Sequence, residues 1–352
     1  MSEQSTPSIA GAVVARLTAA GRVVDAGSFT IDVEQARVRL REHRLANPHA
    51  WVLVLVEAAS IAGSPTIHFK LGARQSSARF IGPAIDADRF AQLFAAAFSD
   101  SSKLEGSARI AARVLEKLAI AANAALTLDC SALILECTTP SGEQRRMTIE
   151  PEGPIVTELG QGAGEGEIHF MLDSEGRDTE RADAELALLR ERARWAKPKI
   201  DIDGAAINET RAAALGSGAR MAISDEHGKA IGLARLGHGG QPGRMLLLTH
   251  GVLAETLPLP EAPTDFLALV DVDLHKDLAQ SRVVRDASFD AVIAATRTTW
   301  ERLGRRPATT TVQRKAVLEQ VHAGRPDPVT PLRVFVALVV LMAAGLLVLW
   351  LR

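Results

Sequence analysis

The segment Ala46–Gly63, ANPHAWVLVLVEAASIAG, constrains this chain most: it is almost wholly apolar and carries a single carboxylate, Glu57. Periodicity alone leaves it open between a buried strand and a helix, because Trp51–Val56 is rich in β-branched residues. The flanks decide it. Asn47 can accept a hydrogen bond as N-cap, Pro48 is pre-shaped for the first helical position, Gly63 can take the left-handed position after the helix, and Pro65 blocks continuation. A helix over Pro48–Ala62 that is apolar nearly all round has to be packed on both sides. Glu57 then needs either a ligand that uses its charge or a buried partner that offsets it.

The 352 residues suffice for two domains and appendages. A formal charge of −2, with no basic run interleaved with aromatics, excludes a nucleic-acid partner. Cys130 and Cys137, seven apart on what reads as one strand, point to opposite faces and are expected as buried thiols in a reducing compartment. The nine histidines supply no i, i+4 pair joined to a carboxylate and the cysteines no CxxC, so no metal site is expected. Gly216-Ser217-Gly218 lacks the strand-to-helix setting of a serine nucleophile.

At the other end, Val334–Leu351 is an uncharged run bracketed by Arg333 and Arg352, with Trp350 at interfacial depth. As a helix it measures roughly 27 Å, enough for a bilayer core. A fully buried soluble helix is the alternative. The terminal place and charged brackets favour a single-pass anchor in the lipid bilayer, with the bulk of the chain facing the cytoplasm. Arg305, Arg306, Arg314, Lys315 and Arg325 bias the preceding Pro-rich segment toward the cytoplasmic face.

Read in order, residues 1–28 form an N-terminal segment with no assigned chemistry. A first domain, 29–175, opens with a capping box at Asp32 and Gln35 and continues through the Glu57 helix. Strands follow at Thr66–Leu71 and Ala78–Ile81, then a helix capped by Asp86 and a long one at Ser107–Leu126. A hairpin at Ala132–Thr138 and Arg145–Glu150 precedes a strand at Ile168–Leu172. The loop Gly160–Gly166 opens onto that strand rather than a helix, so it reads as a surface loop and not a phosphate cradle. The polar stretch Asp173–Arg181 marks a boundary. A second, smaller α/β domain, 182–303, carries a helix at Ala184–Trp195, hairpins at Lys199–Asn208 and Ala219–Leu236, strands at Met245–His250 and Leu267–Asp273, and a helix at Ala287–Leu303. Segment 304–332 is a basic tether and 333–352 the anchor. The fold class is α+β, with helices on one face of a mixed sheet.

FTIDVEQARVRLREHRLANPHAWVLVLVEAA, beginning at Phe29, resembles the opening of the nucleotide-binding domain of heat-shock protein 90, a GHKL ATPase. LAIAANAAL and EGEIHF continue the likeness, and ELALLRERARWAKPKIDIDGAAIN and DVDLHKDLAQSRVVRD are similar to that superfamily's middle domain. The resemblance implies a GHKL-type α/β sandwich and matches Glu57 to the carboxylate that polarises the attacking water. It places Ile61 where an asparagine ligates Mg²⁺, and Ile81, before Gly82, where an aspartate reads adenine. Ala121 and Ala122 fall on a glycine pair that admits the phosphates, and Gly166-Glu167 on a Gly-Thr. Arg282 matches an arginine aimed at the terminal phosphate. An aliphatic side chain cannot ligate Mg²⁺, and alanine methyls crowd a phosphate. The expectation is therefore a retired site that needs no cofactor, Glu57 being structural, on a scaffold that contacts other proteins. The alternative is a divergent ATPase that binds ATP, with or without Mg, through Glu57 and Arg282.

Overall fold

A computed structural model describes residues 45–85, 87–98, 101, 104–139, 142–151, 155–161, 166–174, 178–277, 280 and 282–305. The helix expected from Asp32, the Asp86 cap, nearly all of the basic tether and the apolar run Val334–Leu351 lie outside the described residues. Among the described residues no helix is long and apolar enough to cross a membrane.

The Glu57 segment begins as a 3-10 turn, Pro48–Ala50, with the Asn47 side chain accepting from the His49 amide at 3.0 Å. It continues as helix α1, Trp51–Ala62. Gly63 closes it at φ 72°, and the Ser64 amide donates back to the Ala59 carbonyl at 3.0 Å. Every residue from Trp51 to Ala59 is buried, as a helix without a polar stripe requires.

Around α1 the chain builds an eight-stranded sheet. Its members are β1 (Thr66–Leu71), β2 (Gln75–Ile81), β3 (Ala132–Thr138), β4 (Glu143–Ile149), β5 (Ile155–Gln161), β6 (Glu167–Asp173), β7 (Lys199–Ile202) and β8 (Ala205–Ala206). They lie in the order β5-β4-β3-β6-β2-β1-β7-β8. The inward positions Ile67, Phe69, Ala78, Phe80, Leu133, Leu135, Ile168 and Phe170 form one core with α1 and the long helix α4 (Gly106–Ala125). The alternate residues remain accessible. Short helices α2 (Ala87–Ala91) and α3 (Leu93–Ala96) complete the layer, and α5 (Thr179–Leu188) runs on as a π turn, Leu189–Ala193.

The hairpin at Lys199–Asn208, expected within the second domain, joins the sheet of this first lobe. β7 pairs in parallel with β1, setting Ile200 opposite Ile67 and Ile202 opposite Phe69, so these apolar residues join the first core and the sheet reaches past the polar boundary to Ala206. β5 is a further difference: the glycine loop begins inside it, at Gly160 and Gln161. Cys130, just ahead of β3, and Cys137 within it are both free and buried, and burial pushes the Cys130 thiol up to about 11.

The second lobe contains helix α6 (Arg211–Leu215) and a five-stranded sheet of β9 (Ala219–Ser224), β10 (Ala230–Leu236), β11 (Arg244–Thr249), β12 (Val252–Pro258) and β13 (Phe266–Asp271), in the order β12-β11-β13-β10-β9. Helix α7 (Ala287–Arg305) covers it, with Trp300 edge-on to Phe266 at 5.7 Å.

One buried polar knot ties the start of α1 to α5. Trp51 Nε1 donates to Glu185 Oε1 at 2.8 Å and Ser76 Oγ to Glu185 Oε2 at 3.0 Å, while the buried Arg181 guanidinium lies 3.7 Å away. Burial pushes the Glu185 carboxyl up, so each donor matters. Trp51→Phe keeps the stacking on Phe170 but removes one donor from a buried acceptor, an expected loss of about 1–3 kcal/mol. Urea unfolding checks it, as a lower midpoint at unchanged slope.

Candidate functional site

Glu57 lies midway along α1, one turn before Ile61, with its side chain 2% exposed. Two ammonium groups meet it. Lys117 Nζ, from α4, stands 2.8 Å from Oε2, and Lys276 Nζ, from the segment after β13, is hydrogen-bonded to Oε1. The three residues come from three separated parts of the chain and from both lobes. Burial by itself would raise the Glu57 carboxyl; Lys117 and Lys276 outweigh it and hold the group down at about 2. Lys117 is lowered by burial but raised further by Glu57 and Glu116, so it stays protonated. Lys276 ends below its ordinary value, because burial and the repulsion of Lys117 and Arg192 exceed the help from Glu57.

A second set of contacts flanks this cluster. Arg113, one turn before Lys117, is 2.7 Å from an Asp273 oxygen and 3.0 Å from His250 Nε2. His250 Nε2 is also 3.0 Å from the other Asp273 oxygen, and this bond and Arg113 hold the Asp273 carboxyl well below the usual carboxylate range despite burial. Lys117 reaches Gln280 Oε1 at 3.5 Å.

Chemically, this arrangement makes a poor base. A general base works best near the ambient pH, and a carboxylate held at about 2, with both oxygens on ammonium groups, holds no proton affinity to spend near neutrality. What the cluster does supply is charge compensation inside an apolar helix layer.

Glu57 meets the two lysines, and the other positions singled out by the resemblance are placed as follows. Ile61 is half-buried and packs on the first core, where Ala121 and Ala122 are fully buried. Ile81 points away from the helices and is 46% exposed; Phe80 takes the inward place beside it. Ile81 sits opposite Glu167 in the β2–β6 register, and Glu167 pairs outward with Arg79 at 3.5 Å. Gly82 donates its amide to the Gly166 carbonyl at 2.8 Å. A Cβ at Gly82 would stand 2.3 Å from Ile168 Cδ1, so a core side chain fills the space that this glycine leaves. Arg282 is exposed, and its amide donates to Asp277 Oδ1 at 3.2 Å. The side chain that crosses to Glu57 is Lys276, six residues earlier.

Lys117 and Lys276 are the members of this cluster that the sequence reading did not single out. Lys117 had a signal, as the last charge before the apolar half of α4, LAIAANAA. Lys276, among the charged neighbours of DVDLHKD, had none. A cavity of about 190 Å³ opens between α3 and α4, bordered by Gln92, Ala96, Leu104, Ala112 and Leu115. It shares no residue with the Glu57 cluster and is smaller than the ~300–1,000 Å³ of typical small-molecule sites.

No family model matches the chain, and no curated protein matches its sequence. Among solved structures, the ATPase region of Saccharomyces cerevisiae topoisomerase II is similar over 76% of this chain and 92% of its own, with a TM-score of 0.46 and 5% identity. At that score and identity the likeness assigns no role to any residue of this chain.

The electrostatics set a pH dependence. Glu57 is depressed from 4.5 to about 2, so its contribution to stability is complete above about 4.5 and is lost as the pH falls toward 2. Glu57→Gln is expected to destabilise the protein by about 3 kcal/mol at neutral pH. That gap from wild type narrows below pH 4.5, as denaturant titrations at a series of pH values will read; a pH-independent gap contradicts the assignment.

Proposed function

We propose that this protein is a membrane-tethered, GHKL-like scaffold that does not hydrolyse ATP, and that its two lobes serve contact with other proteins. The observation that carries the reading is the Glu57 carboxylate: the one residue matched to the water-polarising position is engaged on both oxygens by lysines of the same chain. Ile61, one turn on, offers no oxygen to a metal. The apolar run Val334–Leu351 is the source of the proposed anchor.

A second reading, a divergent ATPase, has one observation in its favour. Two ammonium groups face a single carboxylate, with Arg192 near enough to add to the field, and an anionic ligand would relieve that surplus. Mg-ATP decides between the two. A ligand at about 100 times its Kd stabilises by about 2.7 kcal/mol, which is several degrees in Tm. The full chain in mild detergent is expected to show no thermal shift with millimolar Mg-ATP and no phosphate release. A shift that Glu57→Ala abolishes would overturn the scaffold reading.

A further inference from the structure

Two of the places where the lobes meet differ in chemistry, and an apolar cluster of Trp195 with Leu248, Leu267 and Leu269 also joins them. The first is a tightly packed corner at the β11–β12 turn. Gly251, at φ 82°, lies so close to Ala196 that a Cβ would stand 2.5 Å from its Cα, and Val252 is buried in the first-lobe core. Arg192, on the π turn, donates from Nε to the Leu253 carbonyl at 2.8 Å and from Nη2 to the Ala254 carbonyl at 3.2 Å. This corner is mainly backbone and apolar packing, with a polar contact at its edge, Arg113 to His250 at 3.0 Å.

The second place is the finger that follows β13. It is anchored within its own lobe: Leu274 and Val283 are buried in the second-lobe core, Lys276 bridges to Val283, and the Val284 amide donates to the His275 carbonyl at 2.8 Å. Its polar residues are the ones that cross. Asp273 meets Arg113, Lys276 meets Glu57, and Gln280 meets Lys117. Gln280 holds its backbone at φ 52°, a left-handed conformation that non-glycine residues rarely adopt. The finger therefore brings charge, and a strained backbone, to the first lobe. Polar interfaces of this kind within a chain separate more readily than apolar ones.

We infer that the finger is a releasable latch: the second lobe unfastens from α1 and α4 at Lys276–Glu57, and turns about the Gly251–Val252 corner, which stays packed. Release leaves Lys117 paired with Glu57 inside the first lobe, so that lobe keeps its core while its α1–α4 face becomes accessible. The inference does not depend on whether nucleotide binds, and its test uses none.

Lys276→Gln in the full chain, in mild detergent, isolates the latch because Glu57 keeps Lys117. Hydrogen–deuterium exchange is expected to rise at least tenfold at the amides of 272–277, with β3 and β10 unchanged. Spin labels at the exposed sites Lys70→Cys and Asp290→Cys, one on each lobe, are expected to show one narrow distance in the parent chain and a second, longer population in Lys276→Gln. Lys276→Arg, which keeps the charge, is expected to fall between the two, and carries the test if the glutamine variant does not fold. Unchanged exchange overturns the latch, as does a rise shared equally by β3 and β10. A local rise with an unchanged label distance overturns the turning motion.

Discussion

A charge placed inside an apolar helix must be neutralised where it stands, and in this protein that requirement reaches across the whole described chain. Glu57 is paired in α1 by Lys117 from its own lobe and by Lys276, which reaches it because the second lobe lies where it does. The pairing thus couples the first lobe's helix layer to the second lobe's finger. Removing one partner of such a set leaves another charge buried, so the arrangement tolerates conservative change poorly even though its net contribution to stability is modest.

The same chemistry explains why the site reads so differently as sequence and as structure. Where the information was local, residues and structure agree for most elements, β5 being the exception. The bounds of the Glu57 segment, the long α4, the β3–β4 hairpin and the hairpin at Lys199–Asn208 were legible because caps, turn residues and periodicity lie within a few residues of each other. The inner positions of β1 and β2 follow from alternation, and that same alternation sends Ile81 outward once Phe80 is inside.

What was not legible is what the chain does at long range. The parallel β1–β7 pairing joins segments far apart in sequence, and nothing in Lys199–Ile202 announces its partner. The contact between Glu57 and Lys276 spans 219 positions, and a lysine in a charged neighbourhood looks like a solvated one. The resemblance points to Arg282, but the side chain of the finger that reaches the first lobe's carboxylate is Lys276, which bridges to Val283.

The parallel strand has one more consequence, during synthesis. β1 ends at Leu71 and β7 starts at Lys199. At the ~5–20 residues per second of a ribosome, β1 waits on the order of ten seconds with its outer edge unpaired. Open edges recruit whatever strand is nearest. A nascent chain of this protein is therefore most exposed to mispairing after its first hairpin has formed and before Lys199–Ile202 emerges, and its yield will depend on how that interval is guarded.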